Sequence, residues 1–204
     1  MQITISLKVL AALAEIADGA SANKCADKIC FRPGYNDVVA TNGHVMVALT
    51  NMCAMVGNVV TTITACRAKA IVFEAKNMKS VKTHGTVTLF SSQEEYDDYI
   101  NEQSRSPDCF PDAAFLFVPG YDYVSMDSIN NCLNMGEREA DTFVPSFNLK
   151  YQEKVAKLWC AVSGFKNKDD PRYDKVYYGR NNALYMTWED LKKEFHAVIM
   201  GYRR

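Results

Sequence analysis

Apolar positions along this chain fall into short blocks of strand period, broken by segments of helical period. Gln2 to Ser6 reads as a strand and Leu7 to Ala17 as an amphipathic helix. Leu10, Leu13 and Ala17, with Val9 and Ile16 beside them, form one face of that helix, and Lys8, Ala12 and Glu15 lie on the other. Ser6 suits its N-cap and Gly19 its C-terminal stop. An apolar run at 28–31 and a turn-forming segment at 32–37 follow. Val38 to Ala40 and Val45 to Leu49 then read as strands, and Asn42-Gly43 between them is a two-residue hairpin signal.

Two more helices are expected. One covers Thr64 to Phe73 after a strand from Asn58 to Ile63, with Arg67 and Lys69 as its cations and Lys76, Lys79 and Lys82 beyond it. The other lies within Val144 to Val162, capped by Asn148 and ended by Ser163-Gly164. Tyr151, Val155, Leu158 and Val162 make its apolar stripe, and Lys150, Lys154 and Lys157 share another face. Three ammonium groups in a row suit a phosphate backbone contacted without base readout; they equally suit a solvated face partly offset by Glu153.

Between these helices, Thr86 to Ser91 and Ala114 to Val118 read as strands. Residues 93–112 carry seven acidic residues against Arg105 alone, as an exposed helix and a loop at Pro107 and Pro111. Tyr121 to Met135 is loop-like, anchored by Val124, Ile129 and Leu133. Strands at 175–178, 183–188 and 195–202 close the chain, with a charged connection at 189–194. Strand-then-helix starts therefore recur near residues 2, 58 and 142.

Residues 40–49, reading Ala-Thr-Asn-Gly-His-Val-Met-Val-Ala-Leu, resemble the A-T-D-G-H-R-L-A hairpin of bacterial DNA sliding clamps, the β subunit of DNA polymerase III. The end of the chain, from Phe195 to Arg204, resembles the final clamp strand. The departures are Val45 for the usual Arg, Gly201 for Pro and Arg204 for Leu. The resemblance implies an α+β, sliding-clamp-like fold of repeated β-α-β-β-β units, with helices on one face of antiparallel sheets. It implies a clamp-like domain over 1–140, with an irregular acidic insertion around 91–138, and an added half-domain over 141–204. It also implies a partner groove at Gly43, His44, Met46, Val198 and Met200, where thioethers adapt to varied apolar side chains. Met46 and Met200 are also ordinary core residues for strands. On the same footing, Arg67, Lys69, Lys76, Lys150, Lys154 and Lys157 are the expected contacts to duplex DNA.

Composition adjusts this picture in a few respects. A formal net charge of −1 removes the overall basic signature of many nucleic-acid binders, so any basic surface must be local. Seven cysteines without a C-x-x-C pair point to reduced thiols in a cytoplasmic setting, not to a disulfide framework or a zinc site. Glu15 and Asp18 interrupt the N-terminal apolar stretch, which favours a helix of the mature protein over a signal peptide, and no membrane association is expected. No nucleophile elbow, P-loop, zincin or dinucleotide motif occurs, and Asp97-Asp98 and Asp169-Asp170 lie in polar contexts. The expectation is a non-enzyme without cofactors.

Two functions follow from the resemblance. One is a processivity factor that self-associates around double-stranded DNA and tethers a polymerase, as a short, phage-like clamp. Clamp rings use about twelve such units, so four to about six copies of this chain would close one. The alternative is a clamp-fold adapter or decoy that binds replication partners without forming a ring.

Overall fold

The computed structural model describes residues 1–19, 27–104, 113–117, 146–167, 171–179, 183–190 and 192–201. The sequence expectations at Arg105, Pro107, Pro111, Val124, Ile129, Leu133 and Tyr202 lie outside the described residues. Strand β1 (Gln2–Ser6) runs directly into α1 (Leu7–Ala17), as the apolar pattern predicts. Ser6 has an extended N-cap backbone but makes no side-chain cap. Ala12, placed by its period on the polar face, is buried because α1 has neighbours on both flanks, α2 (Ala65–Ala75) and α5 (Leu149–Ser163). Gly19 does not end the helix by a left-handed turn. A Cβ there would lie 2.8 Å from the Asn42 Cβ, so close approach of the hairpin is what requires glycine.

The strands divide into two sheets. Seven strands order as β6-β2-β3-β4-β11-β10-β9, using β2 (Lys28–Arg32), β3 (Asp37–Thr41), β4 (Val45–Thr50), β6 (Thr61–Thr64), β9 (Lys175–Gly179), β10 (Ala183–Asp190) and β11 (Lys193–Met200). Four strands order as β5-β1-β7-β8, using β5 (Cys53–Val56), β7 (Thr86–Phe90) and β8 (Ala114–Leu116). The first strands of two units are exchanged: β1 pairs with β7, and β6 pairs with β2, placing Ile3 opposite Leu89 and Ile63 opposite Ile29. Each exchanged strand leads into its own helix, and those helices, α1 and α2, pack on each other. The third helix, α5, lies on the other flank of α1 and leads into β9–β11. The result is β-α-β-β-β architecture with helices on one side of the sheets. The large sheet takes strands from both 1–140 and 141–204.

The middle of the chain departs from the regular unit. Short α3 (Lys79–His84) precedes β7, and the acidic segment forms α4 (Gln93–Ser104). Tyr96 and Tyr99 of α4 pack on Phe90. Strand β8 then pairs with β7 in parallel, which requires a crossover connection such as α4. The expected charged connection at 189–194 is mostly strand, since Glu189 faces Glu194 and Asp190 faces Lys193. No helix among the described residues is long and apolar enough to cross a membrane.

One buried ion pair closes the β2–β3 turn. Arg32 Nε donates to Asp37 Oδ1 at 2.6 Å, and its Nη2 donates to Oδ2, with both side chains largely withdrawn from water. Arg32 also lies 5.2 Å from the Tyr35 ring centroid. Removing one partner strands the other charge, whereas removing both does not. Arg32→Met alone is expected to lower stability by about 3 to 5 kcal/mol, and Arg32→Met with Asp37→Leu to regain most of it, as read by urea unfolding.

Candidate partner groove and helix-layer surface

The hairpin between β3 and β4 is built around one carboxamide. Asn42 Oδ1 accepts from the backbone N–H groups of His44 and Val45, at 3.0 Å each, and Asn42 is buried. Gly43 takes the left-handed conformation (φ 86°), but Asn42 does not. Thr41 pairs with Met46 and Asn42 N–H donates to the Val45 carbonyl at 3.2 Å, so the two turn positions are Gly43 and His44, one residue beyond the Asn42-Gly43 pair the sequence predicts. An Asx turn, with the side chain replacing a backbone acceptor, explains the difference. Thr41 supports it, its Oγ1 donating to the Val45 carbonyl at 2.9 Å and accepting from Gly43 N–H at 3.1 Å.

Pairing of β4 with β11 brings this hairpin to the far end of the chain. Met46 faces Val198, Val45 faces Ile199, and Met200 N–H donates to the His44 carbonyl at 2.8 Å. Gly43, His44, Met46, Val198 and Met200 thus meet at one seam. Gly43 and His44 are exposed, Met46 is half-buried, Val198 is buried and Met200 is 38% exposed. The His44 imidazole stacks on the Tyr151 ring of α5 (5.8 Å between centroids, 14° between planes), which orients the hairpin against that helix.

The cations of the helix layer have partners that sequence spacing did not reveal, because most are contributed by α1. Lys69 pairs with Asp18 at 2.5 Å, and Lys157 lies 3.6 Å from Glu15 and 3.7 Å from Glu153. Lys154 Nζ donates to the Glu15 carbonyl at 2.5 Å, with the Asp18 carbonyl at 3.5 Å. Arg67 donates to the Leu116 carbonyl at 2.8 Å and lies 3.7 Å from Glu74. Among the described residues, no ion pair engages Lys76 or Lys150. The three helices with their caps carry seven cations (these six and Lys8) against four carboxylates, Glu15, Asp18, Glu74 and Glu153. The paired side chains are about half exposed, where such pairs contribute about 0 to 1 kcal/mol, so an incoming anion can displace them.

A cleft of about 530 Å³ separates α1 from α5. Glu15 opposes Lys157 at one end and Lys8 opposes Gly164 to Lys166 at the other, so the helices run antiparallel. Ala11, Ala12 and Ala161 are among its lining residues, small side chains that leave the groove open. The sequence places Arg172 in a turn and gives Phe165, Lys166 and Arg172 no binding role. The signal was Gly164, a left-handed C-terminal residue (φ 77°) whose successor characteristically folds back on the helix. Phe165 does so, stacking on Trp159 at 5.3 Å and 29°, with the Arg172 guanidinium 5.5 Å from its centroid. Trp159, fully buried, also shifts the core-facing stripe of α5 from the predicted one, since Tyr151 and Val162 are only half-buried.

Two groups titrate abnormally near these features. Burial, and secondarily the Asp37 charge, pushes the Cys53 thiol up to about 12. Burial, then the neighbouring Cys160, raises the Tyr173 phenol, which packs on Trp159 and Phe195. Among the described residues, no group of three or more His, Cys, Asp or Glu is arranged to hold a metal ion. The hairpin geometry yields one expectation. Asn42→Ala leaves two N–H groups without their acceptor and is expected to cost about 1 to 3 kcal/mol, whereas Asn42→Asp keeps an acceptor and costs less, as read by thermal unfolding.

No protein-family model matches the chain, and no curated protein matches it. Solved structures do. The DNA polymerase III subunit beta of Borrelia burgdorferi, solved in complex with a natural product, matches all of this chain at 12% identity with a TM-score of 0.51. A putative DNA polymerase III beta subunit from Eubacterium rectale matches at 7% identity and a TM-score of 0.47. The beta subunit from DNA polymerase of Streptococcus pyogenes matches at 9% and 0.45. The chain spans 63% of the Borrelia protein and 66% of each of the other two. At such identities the likeness is one of fold: the chain is a distant and partial structural relative of the DNA polymerase III beta clamps.

Proposed function

We propose that this chain is a clamp-fold protein-binding module that acts on replication partners without closing a ring, and that it docks them at the β4–β11 seam. The observation that carries the reading is the meeting of Gly43, His44 and Met46 with Val198 and Met200, residues from opposite ends of the chain. A partner peptide would lay apolar side chains against Met46 and Met200, whose thioethers adapt to different shapes. The proposed units 1–140 and 141–204 would share one seven-stranded sheet, whose β4–β11 pairing forms the seam.

Duplex DNA is the second reading, supported by the helix layer. Its seven cations against four carboxylates stand out in a chain of net charge −1. Contact there would be sequence-independent and salt-sensitive, through Arg67, Lys69, Lys76, Lys150, Lys154 and Lys157.

Fluorescence polarisation with a labelled hexapeptide of the kind that docks in bacterial clamp grooves tests the first reading. Met200→Asp, at a partly exposed position, is expected to weaken binding at least about tenfold. Unchanged affinity would remove the seam as the docking site. Light scattering is expected to give a monomer or dimer, and a discrete tetramer or hexamer would overturn the non-ring proposal. For the second reading, replacing Lys150, Lys154 and Lys157 by Glu should abolish duplex binding between about 50 and 200 mM salt while circular dichroism stays unchanged. Retained affinity would dismiss the helix layer as the DNA surface.

A further inference from the structure

The cleft between α1 and α5 runs from Lys157, about 9 Å along the helix axis from the His44–Tyr151 stack, to Phe165, about 21 Å from it. Its chemistry differs from that of the seam. Lys8, Lys157 and Lys166 line it with a single carboxylate, Glu15. The Glu15–Lys157 separation of 3.6 Å is longer than a hydrogen bond, and both groups are about half exposed. A phosphate oxygen can therefore take the place of the carboxylate at small cost.

The aromatic side chain at the mouth stays half in water despite its packing. Phe165 is 47% exposed although its ring lies against the buried indole of Trp159. Gly164 turns it back into this position, and the Arg172 guanidinium lies over the ring, 5.5 Å from its centroid, adding a second planar layer to the stack. Aromatic rings and guanidinium planes are the two surfaces on which unpaired bases stack. Duplex DNA keeps its bases inside and offers only sugar and phosphate to such a cleft. A single strand offers both a phosphate and a base.

We infer that the α1–α5 cleft binds single-stranded nucleic acid, with phosphates on Lys8, Lys157 and Lys166 and an unpaired base stacked on the Arg172 guanidinium that Phe165 backs. The site is separate from peptide docking at the seam and does not depend on it. It would let the module hold a partner protein and an unwound strand together.

The test is fluorescence anisotropy on the full chain, with a labelled oligothymidylate of about 12 nucleotides and a blunt duplex of equal length. Wild type is expected to bind the single strand more tightly than the duplex. Phe165→Ala should weaken single-strand binding about tenfold or more and leave duplex binding within about twofold. Phe165→Trp should keep single-strand affinity, and Glu15→Gln should raise it. Thermal unfolding and seam-peptide binding of Phe165→Ala check that the fold is intact.

Tighter duplex than single-strand binding, or a Phe165→Ala effect that is absent or equal on both, overturns the inference. Oligoglutamate that displaces the strand, and is itself weakened by Phe165→Ala, reassigns the cleft to acidic peptides and also overturns it. Failure of seam-peptide binding in wild type, with single-strand binding still dependent on Phe165, would remove the docking proposal and support this one.

Discussion

The pairing of β4 with β11 is the contact on which the rest of the arrangement depends. It joins the two strand sets into one seven-stranded sheet and sets Val45, Val47 and Leu49 beside Phe195, Ala197 and Ile199 in a common core. The same pairing fixes where the chain after α5 must return, and so holds α5 against α1. Both the seam and the cleft are products of that constraint. Loop-closure entropy grows only as the logarithm of the intervening length, so joining the two ends costs little more than joining nearer strands. Burial of the apolar stripes on both strands offsets it.

The helix layer shows how the same contact shapes electrostatics. As the middle helix, α1 is almost wholly buried and leaves few side chains in water. Glu15 is among them, and with the cap residue Asp18 it meets cations from both flanking helices. The net charge of the chain conceals this pattern: positive groups gather on the helices while α4 carries Glu94, Glu95, Asp97, Asp98 and Glu102 without a cation. The buried Arg32–Asp37 pair is of another kind, local to a turn and shielded from solvent.

Much of the local structure was legible in the sequence. The 3.6-residue period placed α1, and Asn148 and Gly164 bounded α5, because caps are set by neighbours in the chain. What pattern could not give was coverage. Ala12 is buried by α5, Trp159 replaces the ends of the expected stripe, and Gly19 is fixed by Asn42, all through contacts distant in sequence. Strand direction was equally invisible: nothing in the period of Ala114 to Leu116 says that β8 runs parallel to β7. The seam residues were named from family resemblance and do lie together. The ion partners of Lys69, Lys154 and Lys157 required the fold.

The β4–β11 pairing also has a consequence on the ribosome. Strand β4, reading Val-Met-Val-Ala-Leu-Thr, has no charged residue, and one of its edges is satisfied only by β11, which starts 143 residues after β4 ends. At ordinary elongation rates that edge waits for roughly 7 to 30 s, exposing unpaired N–H and C=O groups beside an apolar surface. The half-made chain is therefore the form most prone to aggregate, and a chaperone that shields one short strand during translation would protect the yield of the whole fold.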